Sequence, residues 1–259
     1  MQLLDEIKEF KKLKKQPQKL SYIGNLELLK KRKISVVGSR KMSIYTKNLI
    51  LNLCQKITQT GEFCVVSGAA LGCDITAHEG AFPNTIAVFG NGLGQIYPKE
   101  NELMIKKIYE NSLAISEYDD DFMATKWSFL ERNRLVVALG EALIVAQADL
   151  KSGSMQSAMI ANKLGIPVFV FPHKMNESRG TNMLLGEKRA NLIYDIDKFC
   201  DSFLSKKTQK NLFDFDDELL NFAMQNDDLN AVLAKFGDMV YEYELDGKIE
   251  IFGTKVVVK

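Results

Sequence analysis

In the segment ISVVGSR at residues 34–40, a short apolar run ends in a glycine-bearing polar turn. The same pattern recurs in CVVSG at residues 64–68 and in TIAVFGNG at residues 85–92. Short apolar runs bounded by glycine are typical of buried strands in a parallel sheet. The three runs therefore predict strands whose carboxyl ends carry glycine turns that offer backbone N–H groups to a ligand.

Helical patterns separate these runs, and the alternation continues through the second half of the chain. The predicted helices are residues 45–60, 101–110, 132–139 and 154–164, with a further helix through Ala77 and His78. The additional predicted strands are AISE at 114–117, ALIVA at 142–146 and PVFVF at 167–171. This order predicts an α/β fold: an extended Rossmann-like, doubly wound and mostly parallel sheet.

The pattern changes at both ends of this region. Residues 1–33 hold ten Lys/Arg against four Asp/Glu, and Leu3, Leu4, Ile7 and Phe10 share one helical face, which predicts a short helical lead-in. Its lysines are equally compatible with a solvated face and with nucleic-acid steering. We expect the Rossmann-like domain at residues 34–205.

A lysine-rich polar stretch at residues 202–211 predicts a linker, and a small domain follows at residues 211–259. Its pattern predicts helices at 217–224, 229–236 and 239–245, then a hairpin. Three helices followed by a hairpin are typical of a winged helix-turn-helix domain. The small C-terminal domain is therefore predicted to be winged-helix-like.

The composition is that of a soluble globular protein, with 46% hydrophobic and 26% charged residues. Charged residues interrupt the first ten positions, and no apolar run approaches membrane-spanning length, so we expect a cytoplasmic protein without membrane attachment. The four cysteines form no CxxC pair, which predicts reduced, mostly buried thiols. With two histidines in the chain, we expect no metal centre and no cofactor.

Charge is distributed unevenly along the chain. Residues 211–259 hold eleven acidic side chains and four lysines, so their net charge is −7. The rest of the chain has a net charge of +8, and the two parts sum to the overall net charge of +1. A net charge near zero argues against a uniformly basic DNA-coating protein. The two parts are expected to have different partners.

Gly38, Ser39 and Arg40 predict a phosphate site. Glycine lets the backbone approach a ligand, and a helix that begins just after the turn directs N–H groups and its positive dipole end at an anion. The alternative is a tight turn in which Arg40 pairs with a carboxylate. We favour phosphate binding because the turn follows a buried strand and faces other basic loops.

Lys151, Ser152, Gly153 and Ser154 predict a second anion site. They open a helix directly after the strand ALIVA, at a strand's carboxyl end. In an open parallel sheet, that edge is where ligands bind.

Basic and aromatic side chains interleave in KWSFLERNR at residues 126–134. This pattern suits single-stranded nucleic acid, because cations hold phosphates while a base stacks on a ring, a contact worth about 1–3 kcal/mol. Lys126 and Arg134 are the predicted phosphate ligands, and Phe129 is the predicted stacking residue.

The same segment has a structural interpretation. Trp127 and Leu130 are predicted to pack in the core. The alternative to DNA contacts for Arg132 and Arg134 is a buried ion pair.

Asp74 and His78 lie four residues apart and therefore share one helix face. An acid/base pair is conceivable there, but no nucleophile accompanies it in the sequence. We prefer a helix-capping Asp74 and a hydrogen-bonded His78.

Taken in order, these motifs resemble the DNA-processing protein A (DprA/Smf) family. The segments that carry the resemblance are VGSR at 37–40, SGAALGCD at 67–74, AHEGA at 77–81, GNGL at 90–93, FLERNR at 129–134 and KSGSM at 151–155. The match runs from about residue 34 to residue 195, and the tail is similar to the family's winged-helix domain.

The resemblance implies a non-enzymatic protein that captures and protects incoming single-stranded DNA during natural transformation, forms a homodimer and promotes loading of the recombinase RecA. Whether duplex DNA also binds stays open. By this likeness Gly38, Ser39, Arg40 and Lys126 grip phosphates and Phe129 contacts a base. The predicted DNA-binding set is completed by Arg132, Asn133, Arg134 and the loop Lys151, Ser152, Gly153 and Ser154. The family is not known for metal- or cofactor-dependent turnover.

Two alternatives from other classes remain. A nucleotide-processing enzyme related to the lysine-decarboxylase-like phosphoribohydrolases would share the sheet and the loops, but the PGGxGTxxE signature of that family is missing from the sequence. A small-nucleotide sensor would have to bind mononucleotides in preference to DNA. The dinucleotide fingerprint GxGxxG does not follow the first strand, and KSGS lacks the glycines of a Walker loop.

Overall fold

The apolar runs that end in glycine turns form the centre of a nine-stranded sheet. The computed structural model describes residues 2–4, 7–204 and 218–258. The chain divides into two units, Met1–Leu204, called here the first unit, and Ser205–Lys259. The strands of the first unit are β1 Gln2–Leu3, β2 Ser21–Gly24, β3 Arg32–Val37, β4 Phe63–Ser67, β5 Thr85–Phe89, β6 Leu113–Ser116, β7 Ala142–Val145, β8 Val168–Val170 and β9 Asn191–Leu192.

The strand order is β1-β2-β6-β5-β4-β3-β7-β8-β9, and β3 to β9 are mutually parallel. From β3 the chain builds outward through β4, β5 and β6, then returns to the other side of β3 to form β7. Ile34 therefore has Val65 on one side and Ala142 on the other. Such a reversal is a topological switch point, where the loops after two adjacent strands diverge and leave a crevice.

Helices cover both faces of the sheet. One face carries α1 Ile44–Thr58, α2 Cys73–Ala81, α3 Glu102–Asn111 and α7 Ile196–Leu204. The opposite face carries α4 Lys126–Leu139, α5 Gly153–Lys163 and α6 Arg179–Gly186. The central strands are buried on both faces, because Val36 belongs to one apolar cluster and Val37 to the other. The predicted doubly wound, mostly parallel α/β sheet is confirmed.

The first residues depart from the predicted helical lead-in. In place of one helix, they form two 3-10 turns at Lys8–Lys12 and Leu26–Lys30 and the strand β2, which pairs antiparallel with β6. Ile7 and Phe10 are buried against the sheet, whereas Leu3 in β1 is 69% exposed. The helical prediction is wrong because the open edge of β6 supplies backbone hydrogen-bond partners, and this long-range pairing outweighs local periodicity.

The second unit has its own small core. Its elements are α8 Glu218–Gln225, α9 Leu229–Phe236, α10 Met239–Leu245, β10 Ile249–Phe252 and β11 Lys255–Val258, and the two strands form an antiparallel hairpin. Val232, Val240 and Val256 are buried between them. Three helices and a two-stranded hairpin follow in the expected order, while the winged-helix assignment stays a prediction. Of the predicted linker, residues 202–204 end α7 and the rest lies outside the described residues.

All four cysteines are free and buried, as their sequence positions predict. Within the described ranges, no helix is both long and apolar enough to cross a bilayer.

Candidate functional site

A cleft of about 670 Å³ opens where the chain reverses between β3 and β7. The turn after β3, the start of α4 and the start of α5 form its walls. Of the predicted site residues, the cleft brings together Gly38, Ser39, Arg40, Lys126, Phe129, Arg132, Asn133, Ser152, Gly153 and Ser154. Lys151 and Arg134 do not line it.

Two helices begin at this cleft. Thr125 caps α4: its hydroxyl accepts a hydrogen bond from the Ser128 N–H at 3.0 Å, and the Ser128 hydroxyl accepts from the Thr125 N–H at 2.9 Å. Ser152 caps α5 through the Met155 N–H at 3.3 Å. Each helix start carries about half a positive charge, so the cleft suits an anion.

The prediction that α4 begins at Arg132 is wrong, because this reciprocal cap starts the helix at Lys126. A hydroxyl residue at the cap and another three positions later is the sequence signal that could have located the start.

The polar groups of Ser39, in the turn after β3, are hydrogen-bonded to the backbone of Lys41 and Gln147. The Ser39 hydroxyl accepts from the Lys41 N–H at 3.1 Å and donates to the Lys41 carbonyl at 2.6 Å, and the Ser39 N–H donates to the Gln147 carbonyl at 2.8 Å. What the turn presents to the cleft is Arg40. Its side chain is exposed and forms no hydrogen bond or ion pair with any residue that the structure describes.

The second glycine motif supports this turn. The Cys73 N–H donates to the Ser39 carbonyl at 3.1 Å. Gly72 has φ +78°, and a Cβ at this position would lie 2.6 Å from the Arg40 carbonyl oxygen and closer still to that of Ser39. A residue with a side chain would therefore push the turn away, and glycine is needed for the turn to dock on α2.

Arg132 is buried in the cleft wall. Its Nη1 donates to the Val88 carbonyl at 2.7 Å, and its guanidinium fills the space that a Cβ on Gly68 would need. Its Nε is buried without a hydrogen-bond partner among the described residues. Burial lowers the pKa of Arg132, while nearby Asp74 opposes the shift.

Asp74 is also buried in the cleft wall, which sequence reasoning did not foresee. The predicted helix cap is wrong, because Gly72 occupies the cap position of α2 and Asp74 lies inside the first turn. Burial raises the pKa of the Asp74 carboxyl, against the opposing charges of Arg132 and Arg40 and hydrogen bonds with the backbone of Ala70 and Gly68. Asp74 thus balances the buried charge of Arg132.

His78 faces the sheet and does not line the cleft. The Thr85 hydroxyl donates to the Val65 carbonyl at 2.9 Å, so it accepts a hydrogen bond from His78 Nδ1 at 2.6 Å. The predicted hydrogen-bonded histidine is confirmed. Burial lowers the pKa of His78 to about 3, and its Nε2 has no partner among the described residues.

Phe129 supplies an aromatic surface in the cleft. Its ring is partly buried, lies against Gly90, and has the Arg40 guanidinium carbon 5.3 Å from its centroid. The ring of Tyr97, which is 41% exposed, lies 5.7 Å away with an interplanar angle of 35°. A cation and two aromatic rings therefore meet at one point of the cleft.

The remaining predicted cations divide into two groups. Lys126 and Lys151 are exposed, and neither forms an ion pair with a described residue. Arg134 donates to Glu117 at 2.9 and 2.6 Å, and both side chains are 11% exposed. The structure gives Arg134 the buried ion pair that was the alternative to a DNA contact.

Trp127 and Leu130 do not pack in the core, and this prediction is wrong. They are 58% and 43% exposed. The buried side of α4 is formed by Ser128, Arg132 and Leu135, so Trp127 and Leu130 lie outside the core, and Leu130 lines the cleft. A polar residue and an arginine occupy positions at which periodicity would place apolar side chains.

The family model for DNA recombination-mediator protein A matches residues 6–204. Among curated proteins, the DNA processing protein DprA of Streptococcus pneumoniae is 39% identical over 159 residues, which cover 60% of this chain and 56% of that protein. DprA of Bacillus subtilis is 35% identical over 153 residues, which cover 58% of this chain and 51% of that protein. The chain spans about half the length of these curated relatives.

Two solved structures share the fold. DNA processing protein A from Helicobacter pylori, studied for its single-stranded DNA binding mode, is 42% identical with a TM-score of 0.77 over 80% of this chain and 97% of that one. DprA from Streptococcus pneumoniae is 33% identical with a TM-score of 0.72 over 79% and 72% of the two chains. Because the family model spans nearly the whole first unit, the chain belongs to the DNA recombination-mediator protein A family.

Proposed function

We propose that this chain binds single-stranded DNA in the cleft and acts as a recombination mediator, which captures and protects incoming strands during natural transformation and promotes RecA loading. The observation that carries the proposal is the Arg40 guanidinium, which lies over the Phe129 ring beside the starts of two helices and forms no ion pair with a described residue. The family membership and the single-stranded DNA binding of the Helicobacter pylori relative support it.

In this proposal, phosphates bind Arg40, Lys126 and the backbone at the start of α5, where Ser152, Gly153 and Ser154 line the cleft. Gly38 and Ser39 shape the turn that carries Arg40. A base stacks on Phe129, and Asn133, which also lines the cleft, contacts the same base. Arg132 holds the wall of the cleft while adding positive charge. Lys151 contributes charge from the rim.

A stacking surface with phosphate ligands favours single strands, because bases in a duplex are not free to stack on a protein ring. Binding of this kind depends weakly on sequence. It depends strongly on salt, because each neutralised phosphate releases counterions and contributes about 0.7 to the slope of log affinity against log salt for single strands.

We propose no catalytic turnover. Asp74, the buried acid of the cleft wall, is engaged with the backbone of Gly68 and Ala70 and with the charge of Arg132. These contacts assign the carboxylate a part in holding the wall, which supports a binding role.

We further propose that the protein is a homodimer in the cytoplasm and that the second unit contacts protein more readily than DNA. The balance of −7 in residues 211–259 supports the second point, because that charge repels phosphates.

The test measures the affinity of an end-labelled single-stranded oligonucleotide by fluorescence anisotropy at two salt concentrations, with duplex DNA and a mononucleotide as competitors. Arg40→Ala and Lys126→Ala should each weaken binding roughly tenfold to a hundredfold, since a charge-assisted contact is worth roughly 1.5–3 kcal/mol. Each should also lower the salt slope by about 0.7.

The matched controls are Lys163→Ala and Arg189→Ala. Lys163 is exposed at the far end of α5, about 15 Å from Gly153, and Arg189 pairs with Glu187 ahead of β9. Neither should change binding. Unchanged affinity in both cleft variants would overturn the site, and mononucleotide binding without DNA binding would favour the nucleotide-enzyme alternative. The mediator role is tested by measuring RecA filament assembly on single strands coated beforehand with another protein, in the presence and in the absence of this chain.

A further inference from the structure

Trp127 is exposed although it lies on a well-packed helix beside the cleft. Its side chain is 58% exposed, and it directly follows Lys126, which lines the cleft. Met123, just before the helix, is 60% exposed, and Leu130, one turn later, is 43% exposed. Leu130 also lines the cleft, and we call Met123, Trp127 and Leu130 together the outer patch. Exposed apolar side chains grouped beside a cleft are typical of an interaction site.

Positive charge from the N-terminal segment borders the outer patch. The Lys15 ammonium lies 5.5 Å from the centroid of the Trp127 ring and 2.6 Å from the Glu131 carboxylate, which fixes its position. Lys14 is exposed and forms no ion pair with a described residue. Aromatic and cationic groups therefore alternate beyond the cleft as they do within it.

The start of α4 connects the two aromatic residues. Phe129 and Trp127 are two positions apart, so they project about 200° apart around the helix axis. Thr125 engages the N–H groups of Ser128 and Phe129. The N–H groups of Lys126 and Trp127 make no hydrogen bond to a described residue and lie at the positive end of the helix, in the turn that carries both rings. A phosphate bound at this helix start would place one neighbouring base toward each ring.

We propose that Trp127 is a second stacking platform, on which a strand leaving the cleft over the start of α4 lays a further base while its phosphates approach Lys14 and Lys15. This inference rests on the proposed function, because the strand is the one held at Arg40 and Phe129. The occupant is single-stranded nucleic acid because the outer patch is continuous with the cleft and bordered by lysines.

The binding site is therefore longer than the cleft. A short oligonucleotide fills the cleft alone, and a longer one also covers Trp127. Lys14 and Lys15 thereby contribute to binding. The sequence alone is equally compatible with a solvated face and with nucleic-acid steering for the lysines of this segment.

The test uses Trp127 as its own probe, since it is the single tryptophan of the chain. Oligothymidylates of increasing length carry an end label whose anisotropy reports binding, and the tryptophan emission is recorded in the same titration. We expect short oligonucleotides to bind without changing the emission and longer ones to quench it. Trp127→Ala should weaken the long ones about fivefold or more and leave the short ones unchanged, and Trp127→Phe should retain most of the affinity.

Two further variants sharpen the test. Lys14→Ala combined with Lys15→Ala should lower the salt slope for long oligonucleotides only. Leu103→Ala, which removes an 81% exposed apolar side chain on α3, is the control and should change nothing.

Two outcomes separate this proposal from the proposed function. If wild-type protein binds labelled DNA and Arg40→Ala loses it, but the Trp127 emission is constant and Trp127→Ala binds normally at every length, the second platform is refuted and the cleft stands. Such a result would assign the outer patch to a protein partner. If wild-type protein binds no DNA, the proposed function fails and the platform fails with it.

Discussion

Gly68→Ala tests how the wall of the cleft is built. A Cβ on residue 68 would overlap Arg132 Nη1 and lie 2.5 Å from Nη2. The guanidinium would have to move, although it is buried and held by the Val88 carbonyl at 2.7 Å. The substitution adds one methyl group at a buried position directly after β4, and the nearest atoms that this methyl group meets all belong to the Arg132 guanidinium.

The magnitude follows from the contact that is lost. A hydrogen bond from a charged donor is worth about 1.5–3 kcal/mol, and a buried guanidinium without this acceptor gains no equivalent partner. We expect Gly68→Ala to lower the free energy of unfolding by about 2–3 kcal/mol, measured by urea titration followed by circular dichroism. DNA affinity should fall as well, because the Arg132 guanidinium carbon lies 5.9 Å from the centroid of the Phe129 ring, so moving Arg132 would disturb the proposed stacking residue.

A double-mutant cycle isolates the cause. In an Arg132→Met background the obstacle is gone, so adding Gly68→Ala should cost less than about 0.5 kcal/mol. Gly186→Ala is the control: apart from its chain neighbours and its own helix backbone, no described residue lies within 4 Å of the added Cβ, and alanine in a helix is favoured over glycine by about 0.5–1 kcal/mol. Additive losses in the double variant would refute the close approach of Gly68 and Arg132.

Three further predictions concern the cap of α4 and buried side chains of the fold. Thr125→Ala should destabilise the first unit by about 1 kcal/mol in urea titration through loss of the α4 cap, and Thr125→Ser should not; equal losses would argue against the cap. Because the pKa of His78 falls to about 3 on folding, the unfolded chain binds an extra proton between that pH and pH 6.5, so stability should decrease as pH falls through this window. Urea midpoints of His78→Gln should depend less on pH there, and an unchanged dependence would exclude His78 as the cause. Burial raises the pKa of Cys73 to about 12 and also that of Cys54, so a thiol reagent should label the four cysteines only after unfolding, and stoichiometric labelling of folded protein would contradict this.

The central sheet and the cleft residues could be predicted because their signals are local. The strands ending at Val37 and Phe89 are continuous apolar runs. Such runs are typical of strands that are buried on both faces, which is the environment at the centre of a parallel sheet. Arg40 and Phe129 were identified because each stands in a short segment whose composition suits phosphate or base.

The role predicted for the strand-end glycines differs from the role that they have in the structure. Sequence reasoning gave them the role of offering N–H groups to a ligand. In the structure, Gly72 makes room for the Arg40 turn, Gly68 for the Arg132 guanidinium and Gly90 for the Phe129 ring. Their role in the structure is to admit neighbouring groups, and this depends on contacts between distant segments.

The misplaced residues share a cause. The partner strand of β2 lies about ninety residues away in sequence, so no local pattern announces it. Trp127 is predicted to pack in the core, but α4 turns Ser128 and Arg132 inward. An inward arginine is stable only with the Val88 carbonyl and Asp74 beside it, and that arrangement exists only in the folded sheet.

The reversal of strand order at β3 has a consequence for synthesis on the ribosome. The early strands β3 to β6 can pair as they emerge, yet one side of β3 waits for β7, where Ile34 meets Ala142. Pairings between distant segments form late, and an unpaired central strand exposes its edge until then. The cleft lies beside this last pairing, so a nascent or truncated chain that ends before β7 would lack it. The cleft would thus be complete only after most of the first unit has been translated.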